Sequence, residues 1–218
     1  MVRVRWLGQA FFLWADESGR RVAIDPFDPA AFDYPPAQVS ADAVLVTHEH
    51  ADHNHVGAVA GEPRILRGPG AVGAHDLGFA RVRGVVAWHD EERGARRGPN
   101  TLYRIELGGL ALVHVGDLGH LLSAGQVTGL APVDVLFAPL GGHFTIEPHR
   151  VAALIESLGP RLTVGMHFGN RCTRNLPLAP PETFARGRQD VRQLPAAEFD
   201  LSPAGLPATP EVWIPGLP

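Results

Sequence analysis

The apolar, β-branched run Ala43-Val44-Leu45-Val46 is followed at once by Thr47-His48-Glu49-His50-Ala51-Asp52-His53. Three imidazoles and a carboxylate crowd within six residues at a strand end, a costly placement unless something binds them. In extended backbone, side chains two apart point the same way, so His48 and His50 can hold one ion together. Asp52 and His53 fall where the chain is expected to turn into a short helix, from about residue 52 to 60, and aim at a second position. The pattern reads as a metal site, and it needs a fold that brings further ligands to the same sheet edge.

Length and composition set the frame. At 218 residues, with 45% hydrophobic and 19% charged residues, the chain fits one globular domain spanning 1–218. A net charge of −4 argues against an extended nucleic-acid surface but leaves room for a small anionic substrate. The N-terminus lacks the apolar run of a signal peptide, and no stretch is long enough to span a bilayer. A single cysteine, Cys172, excludes an internal disulfide framework and fits a reducing compartment, so a cytoplasmic location is expected. A homo-oligomer is left open. All 19 basic residues are arginine, which removes lysine Schiff-base and general-base chemistry.

Strands are expected over residues 2–14 and 21–24, then at 43–46, 64–66, 79–88, 101–107 and 110–115. The second part alternates: a helix over 123–130 capped by Ser123, a strand over 133–138, a helix over 147–158 stopped by Gly159-Pro160, and a strand over 162–165. A surface helix is expected over 180–188 and a late strand at 212–214. His75 falls on a loop in this reading. The order of elements suggests two sheets sandwiched between helices.

The histidine loop alone supplies too few ligands for two ions. Three polar groups directly follow apolar strands: His89 after Val85-Val86-Ala87-Trp88, Asp117 after Ala111–Gly116, and His167 after Leu162–Met166. Strand ends gathered at one edge would bring all three to the first loop.

With these motifs the chain resembles the metallo-β-lactamase superfamily from Trp6-Leu7-Gly8 to His167. More narrowly, it resembles the small bacterial metal-dependent hydrolases related to ascorbate-6-phosphate lactonase. The supporting segments are Trp6-Leu7-Gly8-Gln9-Ala10, Ile24-Asp25-Pro26-Phe27, Gly116-Asp117-Leu118-Gly119-His120 and Pro139-Leu140-Gly141-Gly142-His143-Phe144-Thr145. The resemblance implies an α/β fold, a four-layer αββα sandwich, and two divalent ions, usually zinc, with manganese or iron as alternatives. It implies His48, His50 and His89 on the first ion, Asp52, His53 and His167 on the second, and Asp117 between them. Asp25 resembles the aspartate that orients the histidine loop. Related sequences often carry histidine where this chain has Gln9.

Two such ions would lower the pKa of a shared water and direct a hydroxide at an ester, lactone, amide or phosphodiester. Asp52 could ligate an ion and also orient that nucleophile. His143, in a glycine-rich turn, is the expected general acid, and His120 the other candidate. His55 and His114 fit orienting or structural hydrogen bonds, while nothing points to a role for His149. Arg96 and Arg97 after His89, and Arg171 after His167, could bind an anionic small-molecule substrate. The readings from other classes are a di-iron redox protein of the same fold and a scaffold that binds metal or a ligand without catalysis.

Overall fold

The computed structural model describes residues 1–218. Two β-sheets face each other across the main core. The first runs, edge to edge, through Glu198–Leu201, Val2–Gly8, Phe11–Asp16, Arg21–Ile24, Ala43–Val46 and Arg64–Arg67. The second has eight strands in the order Val191–Gln193, Glu211–Ile214, Leu162–Met166, Val135–Pro139, Leu110–His114, Pro99–Leu107, Arg81–Trp88 and Gly73–Asp76.

Side-chain alternation explains why the first sheet can be buried on both faces. Val22, Ile24 and Leu45 enter the core between the sheets, whereas Ala23, Val44 and Val46 point the other way. On that far side they meet Phe27, Tyr34, Val39, Val59 and Cys172. Between the sheets, Phe12 and Trp14 lie 4.9 and 4.6 Å from the ring of Phe137. Truncating any of these three to alanine should cost roughly 3–5 kcal/mol.

The helices Ala124–Leu130, Pro148–Leu158 and Glu182–Ala185 belong to the second half of the chain. Ser123 caps the first of them in a full capping box with Gln126. Gly159, at φ +58°, ends the second in the left-handed conformation that glycine tolerates best. The outer layer on the first sheet is thinner. It consists of loops, the 3-10 turns Pro29–Ala31 and Val56–Ala58, and a ladder of Val39–Ser40 with Val59–Ala60.

Three expectations need correction. No α-helix forms over 52–60, because its amides are committed elsewhere: His53 N–H donates to the His50 carbonyl at 3.0 Å and His55 N–H to that of Pro26 at 2.8 Å. The helix expected over 180–188 shrinks to Glu182–Ala185, with Gly187 at φ +77° just beyond it. His75 lies in the edge strand Gly73–Asp76, not on a loop. The tail also contributes Glu198–Leu201, which pairs antiparallel with the N-terminal strand.

The topology sets the position of the site. Arg21–Ile24 and Ala43–Val46 are parallel, as are Leu110–His114, Val135–Pro139 and Leu162–Met166. Arg81–Trp88 runs the same way as Leu110–His114 through two antiparallel pairings. Loops leaving the C-terminal ends of these strands therefore gather at one edge, where open α/β sheets place their ligands.

Candidate metal centre

Five strand ends contribute. His48 and His50 follow Ala43–Val46, His89 follows Arg81–Trp88, Asp117 follows Leu110–His114, and His167 follows Leu162–Met166. Asp25 follows Arg21–Ile24. His48, His50 and His89 form one group, and Asp52, His53, Asp117 and His167 another. Within each, the donor atoms all lie within 4.8 Å of one another. Asp117 also touches the first group: its carboxylate is 3.1 Å from His89 Nε2 and 3.3 Å from both His53 Nε2 and His167 Nε2. Asp52 is 3.5 Å from His53 Nε2 and 4.0 Å from His167 Nε2.

Buried partners aim these side chains. Asp25 accepts the Thr47 amide at 2.7 Å, the Thr47 hydroxyl at 2.8 Å and the Nδ1–H of His53 at 3.0 Å. Since the Thr47 hydroxyl gives its proton to Asp25, it accepts from His48 Nδ1, 3.0 Å away. This network fixes a proton on Nδ1 of both His48 and His53 and turns each Nε2 to the site. Asp25 at φ 52° and His167 at φ 48° both adopt left-handed backbone, an uncommon state for such residues that tends to gather at functional sites. Gly116 is needed on steric grounds: a Cβ there would lie 2.5 Å from Asn100 Oδ1 and 2.6 Å from Thr47 Oγ1. Asn100 then accepts the Asp117 amide at 3.2 Å. His114 donates from Nε2 to the Ala10 carbonyl at 3.0 Å and accepts the Gly116 amide on Nδ1 at 3.2 Å, so it braces the Asp117 loop.

The two groups differ electrostatically. Burial, helped by the neighbouring His53, pushes His48 well below the usual histidine range, and burial also lowers His50. Burial opposes charge on His53 too, yet Asp117, Asp52 and Asp25 outweigh it and raise its pKa well above the ordinary value. His167 is raised the same way, against its burial, chiefly by Asp117. Asp117 and Asp52 are lowered despite burial, the first by His167 and His53, the second by His53.

Several atoms here are buried without a hydrogen-bond partner: His48 Nε2, His53 Nε2, His167 Nε2 and Asp117 Oδ1. Such groups are costly unless satisfied. Their convergence, and a donor set of imidazole nitrogens with carboxylate oxygens, fits divalent transition-metal ions.

A cleft of about 630 Å3 opens onto the centre. Its lining includes His50, Asp52, His89, Asp117, His167, Arg97 and Phe144, together with Phe32 and Leu176 from two other loops. The structure separates the remaining sequence candidates. Arg97 lines the cleft; Arg96 is exposed and paired with Glu92 at 3.2 Å; Arg171 is exposed and outside the lining. His120 sits beside the site with both nitrogens committed to backbone: Nε2 accepts the Trp88 amide at 3.2 Å and Nδ1 donates to the Leu121 carbonyl at 2.8 Å. Both His120 nitrogens are thus engaged by backbone, an arrangement suited to bracing the loop after Asp117. His143 is exposed at φ 56° and lines an adjoining hollow with Asp90 and Glu147, while its neighbour Phe144 faces the main cleft.

Sequence reasoning missed Thr47, Asn100 and Asp90. The local signal for Asp90 was its place before Glu91-Glu92-Arg93-Gly94, where an aspartate can cap a turn.

This arrangement of two facing sheets, with a histidine- and aspartate-lined centre at their common edge, defines a class. The model of the beta-lactamase superfamily domain matches residues 3–167, and the chain belongs to the metallo-β-lactamase superfamily. Within it, the chain is 33% identical to a UPF0173 metal-dependent hydrolase of Thermococcus kodakarensis, over 77% of this chain and 85% of that protein. A Pyrococcus horikoshii relative of the same description is 32% identical, over 85% of this chain and 92% of its own length. Among solved structures, a Thermotoga maritima protein described as a candidate zinc-dependent hydrolase of this superfamily superposes with a TM-score of 0.79. It is 27% identical, and 98% of each chain is covered.

Proposed function

We propose that this metal-dependent hydrolase works as one domain that holds two divalent ions, zinc being the natural choice for the donor set. His48, His50 and His89 would hold the first ion, Asp52, His53 and His167 the second, and Asp117 both. The observation that carries this reading is the set of buried, unpartnered donor atoms on His48, His53, His167 and Asp117. When bound, the ions supply Lewis acidity and lower the pKa of a coordinated water towards neutrality.

The chain's own residues do the rest. Asp25 and Thr47 hold His48 and His53 in the required tautomers. Asp52 is the carboxylate of the centre with access to solvent, its side chain 31% exposed, against 3% for Asp117. It is therefore placed to orient the attacking water. Substrates of this chemistry are small esters, lactones or phosphodiesters. His143 can serve as acid only for a leaving group that reaches the adjoining hollow.

The test is elemental analysis of reconstituted protein, paired with hydrolysis assays before and after chelation. Close to two metal equivalents per chain, with hydrolysis that vanishes on chelation and returns with zinc, is expected. A plateau at one equivalent would overturn the paired centre, and hydrolysis indifferent to chelation would overturn the metal role.

A further inference from the structure

The cleft lining is mixed. Beside His50, Asp52, His89, Asp117 and His167 it carries Ala30, Ala31, Phe32, Phe144 and Leu176, drawn from three separate loops. Part of this apolar lining is anchored by further contacts. Phe32 packs on Phe27 at 5.1 Å and on Tyr34 at 6.0 Å. Asn170 donates to the Tyr34 hydroxyl at 2.8 Å, and the Asp33 amide donates to the Cys172 carbonyl at 3.2 Å. The loop bearing Phe32 is thereby tied to the loop that leads to Leu176.

Only one permanently charged cation lines this cleft, Arg97. Its guanidinium donates to the Phe144 carbonyl at 3.2 Å and stacks 5.5 Å from the Phe144 ring. No carboxylate forms an ion pair with it, in contrast to Arg96 and Glu92. Its backbone is held firmly. The Asp90 carboxylate accepts the amides of Glu92, Gly94, Arg96 and Arg97 at 2.8–2.9 Å, which pins the arginine loop to the residue beside His89. Asp28 also reaches the rim, but its carboxylate is turned to the Ala30 amide at 2.9 Å.

We propose that the cleft takes an amphipathic carboxylate: an ester or lactone with an aliphatic or aromatic body and a terminal carboxylate. The scissile group would lie at the metal centre, the body against Phe32, Leu176 and Phe144, and the carboxylate on Arg97. One unpaired guanidinium matches a monoanion. A phosphate dianion would want a second cation that the lining lacks, and a polar sugar phosphate would gain nothing from the apolar walls. The proposal rests on the hydrolase reading of the metal centre.

The test uses zinc-loaded protein and two esters with the same leaving group, 4-nitrophenyl hexanoate and the mono-4-nitrophenyl ester of adipic acid. The adipate ester should be preferred by roughly tenfold or more in kcat/KM, mainly through KM. Arg97→Met should erase the preference, and Arg97→Lys should restore part of it. Phe32→Ala and Leu176→Ala should raise KM for both esters but not for 4-nitrophenyl acetate. Calorimetric titration with the monoamide of adipic acid and with hexanamide reads the same preference without turnover. Equal treatment of the two esters by the wild type, or a preference that survives Arg97→Met, overturns the proposal. Absence of all ester hydrolysis would instead overturn the ester-cleaving form of the hydrolase reading on which the proposal rests. The calorimetric preference then still decides the carboxylate site: its presence supports the site and its absence refutes it.

Discussion

The two ligand groups sit side by side yet are held together by different physics. In the histidine group, burial keeps His48 and His50 towards the neutral form, and His50 is exposed to the cleft. In the carboxylate-bearing group, Asp117 and Asp52 draw charge onto His53 and His167, so the group forms a buried ion-pair cluster of its own. The first group gains little from its neighbours and would give an ion neutral lone pairs; the second is pre-assembled and, in the proposed centre, would have to release protons to bind one. Preorganisation and proton cost rise together here.

Asp117 should break this contrast most completely. Asp117→Ala strips the counter-charge from two buried imidazoles and the shared carboxylate from both groups. Loss of metal from both positions is expected. The metal-free protein should itself lose roughly 3–5 kcal/mol, read by denaturant unfolding. Full metal content in this variant would show that the groups are independent.

Asp25→Ala acts one step back. It removes the acceptor for His53 and, through Thr47, the support of His48, so affinity should fall by about 10–100-fold at both positions. Competition with a chelator measures it, and an effect at one position alone would place Thr47 outside the network. His50→Ala sharpens the comparison from the other side. Metal should weaken at the histidine group while the other is retained, and stability should stay within about 0.5 kcal/mol because the side chain is exposed. Retention of both ions at full affinity would remove His50 from the ligand set.

Proton linkage gives a subtler contrast. His53 and His167 have raised pKa values in the metal-free protein, so they keep, to higher pH than a free imidazole, protons that an ion must displace. His48 and His50 are lowered and so are neutral at pH 7. Between pH 8 and pH 6, affinity should therefore fall more steeply at the carboxylate-bearing group. Zinc titrations in buffers of different ionisation enthalpy count the protons, and equal release at both positions would contradict the assignment. Smallest of all, His143→Ala should fall well short of the roughly 10²–10⁴-fold loss of a general acid, measured on esters with poor leaving groups. A larger loss would bring His143 into the cleft chemistry.

What could be read in the sequence follows locality. An apolar run ended by a histidine or aspartate is a local pattern, and His48, His89, Asp117 and His167 all sit at such ends. The same holds for the Ser123 cap and the Gly159 stop. Backbone state is not local in this way: nothing in the sequence around Asp25 or His167 announces a left-handed turn, which depends on contacts such as the bond from His167 N–H to the Gln9 carbonyl at 3.1 Å. The apolar cleft wall was hidden because Phe32, Phe144 and Leu176 come from three distant loops. The helix expected over 52–60 failed since tertiary hydrogen bonds captured amides that a helix would need. Among the arginines, sequence proximity to a ligand could not separate Arg97 from Arg96, because the Asp90-held turn sends adjacent side chains to different places.

The most direct measurement is anomalous diffraction at the zinc edge from zinc-loaded crystals. Two peaks are predicted, one against His48, His50 and His89, the other against Asp52, His53 and His167, with Asp117 reaching both. A single peak, or a second one away from Asp52, His53 and His167, would contradict the paired centre.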